Sequence, residues 1–287
     1  MAVVNRILIT GATGNIGGQI LLQLPATGLQ VRALVHNPDA ARLPPHVEAL
    51  RGDLTLPETL DRCLDGIDTV FLVWVAPAET VAPVVERIAR RARRIVFLSA
   101  PLKTAHPLFQ QPNSSRSRAE LVERLIESSG LEWTFLRPGM FAANALGWWA
   151  PQIRAGDVVR WPYLAVPTAP IDERDIAAVA VRTLCEDGHS GADYVLTGPQ
   201  SLTQFEQIAT IGYVLGRLLR LEEVSPEDWL SELPGFLPSS VAKYLLDAWA
   251  AAIGQPAFVT STVAELTGLP PRTFLNWATD HAAQFRR

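Results

Sequence analysis

Apolar runs alternate with amphipathic stretches through the first half of this chain, the pattern of strand, helix and strand units on a parallel sheet. Strands are expected at about Arg6–Thr10, Gln30–Val35, Val47–Leu50, Thr69–Val75, Arg94–Ser99 and Glu132–Arg137. The stretches between them carry helix-end signals. Pro25 closes the first helix, Thr55 and Pro57 open the one after strand three, Gly66 follows it, and Gly130 follows a helix beginning near Ser115. Six parallel strands with helices between them predict an α/β, doubly wound sheet. Past Pro138 the pattern loosens over Met140–Gly156. It then returns to a strong helix at Asp172–Asp187, with Asp172 as N-cap, and a seventh strand at Ala192–Thr197. The rest reads as short, well-capped helices: Thr203 with Glu206 forms a capping box, and Ser225 precedes Pro226, Glu227 and Asp228 in a first turn. No internal repeat or long linker interrupts the chain, so the smaller, mainly helical C-terminal part is expected to pack directly on the carboxyl edge of the sheet.

Composition narrows the class. A chain of 287 residues that is 48% hydrophobic suffices for one large core or two fused ones and excludes disorder. A formal net charge of −4 gives no electrostatic reason to expect nucleic acid. The densest basic run, Arg90, Arg91, Arg93 and Arg94, falls at a helix end, where cations complement the dipole and stay solvated. Cys63 and Cys185 lie far apart inside apolar helical patterns, which predicts buried free thiols and neither a metal site nor a disulfide framework. No apolar run reaches the roughly 18 residues of a membrane span. The start Met1-Ala2-Val3-Val4-Asn5-Arg6 lacks signal-peptide features, so a cytoplasmic location is expected. Among 25 basic residues only Lys103 and Lys243 are lysines, a high-GC coding bias that fits a bacterium rich in secondary metabolism.

The first candidate chemistry lies at the end of strand one. Gly11-Ala12-Thr13-Gly14-Asn15-Ile16-Gly17 follows the strand directly and opens a helix, the context that makes such a turn a pyrophosphate cradle. Gly11 allows the sharp turn, Gly14 lets backbone approach the anion, and Gly17 lets the helix pack close to the sheet. NAD sites usually carry Asp or Glu at the end of the second strand; here that end reads Val35-His36-Asn37-Pro38, with Arg32 in the same strand, which favours NADPH. Asp39 reads as a helix cap. Asp53 is placed after strand three to accept from the adenine amino group, with Leu54 against the ring, or else to cap the following helix. Val73, Trp74 and Ser99 end strands that should line the nicotinamide side, because ligands sit beyond carboxyl ends. The domain division that follows is 1–150 as dinucleotide-binding domain and 151–287 as substrate-binding part, with 171–198 packing back on the sheet.

With that turn, Arg51-Gly52-Asp53-Leu54, Ser128-Ser129-Gly130-Leu131-Glu132-Trp133-Thr134 running into Arg137-Pro138-Gly139, and Ile171-Asp172-Glu173-Arg174-Asp175-Ile176-Ala177, the chain resembles the NmrA-like atypical short-chain dehydrogenase/reductases. The C-terminal stretch Leu266–Phe274 with Trp277 and Phe285 is similar too, so the likeness spans essentially the whole chain. It implies a Rossmann sheet, a nicotinamide cofactor and an aromatic carbonyl or quinone substrate. Within the group, the actinobacterial aromatic polyketide ketoreductases come nearest the composition bias.

Short-chain reductases carry Tyr-x-x-x-Lys on the helix after strand five. The register Arg118-Ala119-Glu120 puts Ser114 at the tyrosine position and Arg118 at the lysine position, so the usual proton donor is absent. A serine hydroxyl is too weak an acid to replace it unaided. Ser99, Lys103 and His106, at or just after the end of strand five, are alternative donors, His106 having suitable intrinsic acidity. A substrate that stabilises its own oxyanion would need only hydride delivery and orientation. Phe109, Met140, Phe141, Trp148, Trp149, Trp161 and Tyr163 either stack on a flat aromatic substrate or form the junction between domains. Trp148 and Trp149 cannot share one helix face. Asn144 and Pro138 complete the candidate lining. The expectation is an NADPH-dependent ketoreductase of polyketide or antibiotic biosynthesis, with a quinone reductase or a dinucleotide-binding redox sensor without turnover as alternatives; a small aromatic molecule is the expected partner.

Overall fold

The computed structural model describes residues 6–24, 29–232 and 237–286; Pro25, expected to close the first helix, lies outside them. The strands are β1 (Arg6–Ile9), β2 (Gln30–Val35), β3 (Val47–Arg51), β4 (Thr69–Val73), β5 (Arg94–Leu98), β6 (Glu132–Pro138), β7 (Val158–Trp161), β8 (Pro167–Thr168), β9 (Ala192–Leu196), β10 (Leu202–Thr203) and β11 (Arg220–Glu223). Seven of them form one parallel sheet in the order β3-β2-β1-β4-β5-β6-β9. The order reverses between β1 and β4, which opens the crevice where such sheets bind ligands.

The helices are α1 (Asn15–Gln23), α2 (Leu60–Cys63), α3 (Val81–Ala89), α4 (Pro107–Gln110), α5 (Ser114–Glu127), α6 (Asn144–Trp148), α7 (Ala150–Ala155), α8 (Glu173–Cys185), α9 (Gln204–Leu215), α10 (Pro226–Ser231), α11 (Ser239–Ala251), α12 (Thr262–Thr267) and α13 (Phe274–Asp280). One core joins α1 and α8 to one face of the sheet, and a second joins α2, α3 and α5 to the other. Covered on both faces, β1 runs Ile7-Leu8-Ile9 without a polar break, and all three side chains are buried.

Local signals set the ends of several helices. Asp172 caps α8 by accepting from the Arg174 amide at 2.9 Å. Thr203 and Glu206 form a reciprocal capping box on α9. Asn113 caps α5, accepting from the Arg116 amide at 2.8 Å. Asp39 caps no helix, because the chain passes through a turn there.

The third core belongs to the C-terminal part, and it also takes Leu108, Phe109, Ala142, Ala145 and Trp149 from before residue 150. Its centre is a cage of five indoles, Trp148, Trp149, Trp161, Trp229 and Trp249, with ring centroids 5.1–5.9 Å apart. Each edge or tilted pair adds about 0.5–1.5 kcal/mol beyond area burial. Trp148 and Trp149 do meet, at 5.9 Å, because the helix breaks between α6 and α7 and frees them from a common register. Two small pairings that the sequence pattern did not predict, parallel β7 with β11 and antiparallel β8 with β10, contribute to this core.

Two composition-based expectations change. Arg94 is buried, not solvated: its guanidinium donates to the Glu186 carbonyl at 2.8 Å and pairs with Glu132 and Asp187. Cys63 is buried, whereas Cys185 is half-buried. No helix among the described residues is long and apolar enough to cross a membrane.

Candidate active site

The glycine turn is held by its neighbours. The Thr10 hydroxyl accepts from the Val73 amide at 2.8 Å, clipping the end of β1 to the end of β4. Gly11 has φ +62, and a Cβ there would meet the Val73 side chain at 3.2 Å. A Cβ on Gly17 would fall 2.2 Å from the Gly11 carbonyl oxygen, so only glycine lets α1 press this closely on the turn. Gly14 is the α1 N-cap with no side-chain cap, and the first turn holds no carboxylate. Thr13, Gly14 and Asn15 are exposed while Ile16 anchors the helix in the core, so the uncapped amides face the crevice and fit a pyrophosphate.

At the adenosine end the structure moves one assignment. Arg32 is not in the crevice: its guanidinium pairs with Glu48 at 2.8 Å and donates to the Cys63 and Asp65 carbonyls at 2.8 and 2.9 Å, satisfying the end of α2. His36 and Asn37 are exposed at the carboxyl end of β2. Arg51, opposite Val35 on β3, is exposed and has no ion-pair partner among the described residues. Asp53 Oδ1 accepts from the Thr55 amide and hydroxyl, both at 2.8 Å. Those bonds, ahead of the nearby His36, hold the Asp53 carboxyl below the usual carboxylate range. Its second oxygen lies 3.7 Å from His36 Nε2 and remains open to an amino group. Leu54 is a core residue and offers an adenine ring little surface.

On the nicotinamide side, Trp74, Ser99, Ala100, Ser115 and Arg118 line one small cavity at the ends of β4 and β5. Arg118 is half-buried and unpaired among the described residues. Through Ala100 and Ser115 this cavity adjoins a larger cleft of about 530 Å³, bounded by Pro101, Leu102, Phe109, Ser114, Arg116, Lys243 and Tyr244. Phe109 also lies against Gly139, where a Cβ would meet its ring at 3.4 Å. Pro138, ahead of that glycine, is buried at the end of β6.

The three alternative proton donors are committed elsewhere. The Ser99 hydroxyl donates to Glu123 Oε1 at 2.6 Å. Both nitrogens of the buried His106 are used: Nδ1 accepts from the Leu108 amide and Nε2 lies 2.9 Å from the Pro256 carbonyl, to which it donates. Lys103 is exposed and lies 3.9 Å from Asp193, outside the cleft lining. Ser114 opens α5 at the cleft wall.

The aromatic candidates divide. Trp149 and Trp161 are buried in the indole cage, and neither lines the cleft. Trp148, half-buried, lines a separate hollow with Trp161 and Trp229. Phe141 pairs in an isolated bridge with Ile171, and Asn144 starts α6; neither lines the cleft. Met140 and Tyr163 pack against the third core.

The site also contains groups that sequence spacing did not flag. Glu123 and Arg137, both buried, make a two-point ion pair at 2.8 and 2.9 Å, and Arg137 reaches Asp193 at 2.9 Å. A charge inside the apolar run Phe135-Leu136-Arg137 was the one available hint. Arg116 donates to the Phe109 and Leu102 carbonyls at 2.9 and 2.6 Å and pairs with Glu120 at 3.1 Å, tying α5 to the loop before it. Lys243 and Tyr244 come from α11, more than a hundred residues downstream, and nothing local in the sequence marks them.

The profile of a family described as NAD(P)H-binding matches residues 11–187. The chain is 39% identical over 286 residues to a (4-alkanoyl-5-oxo-2,5-dihydrofuran-3-yl)methyl phosphate reductase of Streptomyces griseus, covering 97% of this chain and 99% of that one. It is 32% identical to the NAD(P)H azoreductase of Xenophilus azovorans, covering 97% and 99%. An NADPH-dependent quinone oxidoreductase of Escherichia coli, solved with NADPH, superposes with a TM-score of 0.80 at 24% identity, over 96% of this chain and 99% of that one. The chain therefore belongs to the NAD(P)H-binding, NmrA-like atypical short-chain dehydrogenase/reductases. It is an NAD(P)H-dependent oxidoreductase.

Proposed function

We propose that the chain reduces a small conjugated carbonyl compound carrying an anionic group, with NADPH preferred over NADH. NADPH, when bound, supplies the hydride. The chain's own residues hold its pyrophosphate at the uncapped start of α1, and His36, Asn37 and Arg51 give a 2′-phosphate a setting of donors and positive charge. The observation that carries the substrate reading is the cleft beside Ala100. Pro101, Leu102, Phe109 and Tyr244 make an apolar wall for a small planar group, and Lys243 adds a cation unpaired among the described residues. The Streptomyces griseus relative, by its name, acts on a furanone bearing a methyl phosphate, which supplies that combination.

A second reading, a ketoreductase of planar aromatic polyketides in antibiotic biosynthesis, is favoured by the two rings Phe109 and Tyr244. Burial of Trp149 and Trp161 removes the larger stacking surface it called for. NADPH oxidation with an acylbutenolide methyl phosphate, its dephosphorylated alcohol and anthraquinone-type ketones separates the two. The phosphate should exceed the alcohol by about tenfold or more in kcat/KM, the size of one charge-assisted contact, and Lys243→Gln should erase that margin. Preference for the polycyclic ketone, unaffected by Lys243→Gln, supports the second reading and removes the first.

A further inference from the structure

We infer that the Tyr244 hydroxyl, carried on α11, is the hydrogen-bond and proton donor to the substrate oxygen, replacing from a distant segment the tyrosine that α5 lacks. The inference rests on the proposed cleft being the site of reduction. Of the chain's tyrosines, Tyr163 packs on the third core, Tyr194 bonds His189 at 2.8 Å, and Tyr213 is exposed on α9; Tyr244 alone lines the cleft. That cleft begins at Ala100, one residue past Ser99 and the end of β5, where a carbonyl would meet the nicotinamide.

The Tyr244 hydroxyl has no hydrogen-bond partner among the described residues, although its ring is half-buried. The three donors expected near the end of β5, Ser99, His106 and Lys103, are occupied or turned away, while Arg118 and the Trp74 indole line the smaller adjoining cavity rather than this cleft. The charged groups that face it are few. Arg116 approaches from α5, fixed by its bonds to the Leu102 and Phe109 carbonyls, and Lys243 and Asp247 share α11 and the cleft lining. Burial pushes the phenol above its ordinary value, so it stays protonated at neutral pH, while the Arg116 charge acts the other way and eases formation of the phenolate. Tyrosine and arginine thus take the two roles that tyrosine and lysine fill on one helix elsewhere, here divided between α11 and α5.

The step balances without a further reactant. The carbonyl carbon gains a C–H bond from the hydride, the π pair moves to oxygen, and the Tyr244 O–H proton joins that oxygen to complete the alcohol. NADPH is thereby oxidised to NADP⁺, and the tyrosinate recovers a proton from water. Arg116 touches neither substrate nor hydride in this account; it is a positioning residue.

The test uses the full chain, comparing wild type, Tyr244→Phe and, as control, Tyr213→Phe, with the acylbutenolide methyl phosphate as probe. Tyr244→Phe should lower kcat by about a hundredfold or more, the usual worth of a positioned general acid, with KM within about threefold of wild type. NADPH affinity and the unfolding temperature should not move. Independently of turnover, the infrared carbonyl stretch of the probe bound beside NADP⁺ should lie at lower frequency in wild type than in Tyr244→Phe. Unchanged kcat with an unchanged stretch overturns the inference, as does a loss confined to KM or matched by a fall in unfolding temperature. If wild type turns over none of the probes, the proposed reduction fails first, and the carbonyl stretch alone then decides Tyr244; absence of any bound stretch removes both.

Discussion

Glu123→Gln isolates the energetics of the buried pair behind the site. Arg137 is 1% exposed and faces Glu123 in two-point contact, with Asp193 as its other carboxylate. The amide keeps the shape but withdraws the charge, leaving a guanidinium in the sheet with only the half-exposed Asp193 to balance it. Breaking one side of a buried pair costs about 3–5 kcal/mol. For a chain of this size that corresponds to a fall in Tm on the order of 10 °C. Removing both partners is different, because Glu123→Leu with Arg137→Met leaves no buried charge, and such replacements are often neutral or stabilising. Thermal unfolding followed by circular dichroism on the single and double variants gives the comparison. A single variant within about 1 kcal/mol of wild type, or a double variant as unstable as the single, would refute the reasoning. The Ser99 hydroxyl loses its anionic acceptor in the same variant, so turnover should fall as well, separating this pair from one that serves stability alone.

Gly17→Ala places a methyl 2.2 Å from the Gly11 carbonyl oxygen, so α1 must shift; NADPH binding, measured by fluorescence titration, should weaken by an order of magnitude or more while the sheet still folds. His36→Arg puts a permanent, fork-shaped cation at the end of β2 and should raise the NADPH to NADH ratio in kcat/KM; an unchanged ratio would place the 2′-phosphate elsewhere. Asp175 is buried beside Asp172, and burial first, then that neighbouring charge, pushes its carboxyl up from 3.8 to about 6, against the pull of the Arg272 amide. The folded state therefore binds more protons than the unfolded between those values, so stability falls as pH rises through that window and the full cost is present above it. Asp175→Asn should raise stability near neutral pH by about 2–3 kcal/mol and flatten that slope in urea unfolding; a destabilised variant at neutral pH would count against it.

What the sequence disclosed follows from the range of the interactions involved. The parallel strands, the glycine turn and the caps at Asp172 and Thr203 rest on contacts within a few residues, or on burial of both sheet faces, and each leaves a periodic or positional mark in the chain. Arg32 shows where that logic stops: lying in β2 is a local fact, but the direction of its guanidinium depends on α2 closing underneath it and offering its terminal carbonyls. His106 is similar, since its apparent freedom as a proton donor ended at a carbonyl 150 residues away. The indoles misled for the converse reason, because aromatic content reads the same whether it faces a ligand or fills a core, and only the break between α6 and α7 turned Trp148 and Trp149 onto each other.

The proton donor belongs to this non-local class, and the missing tyrosine becomes intelligible through it. Once a C-terminal helix closes over the end of β5, a hydroxyl can reach the substrate from either wall of the cleft, and selection on α5 for tyrosine is relaxed. The cation that eases phenolate formation can then sit on the opposite wall, as Arg116 does, provided that its own bonds fix it there. A motif search along one helix finds nothing in such a site. The chemistry needs a phenol and a positive charge at one mouth of the sheet, and the requirement falls on their distance in space, not their spacing in the chain.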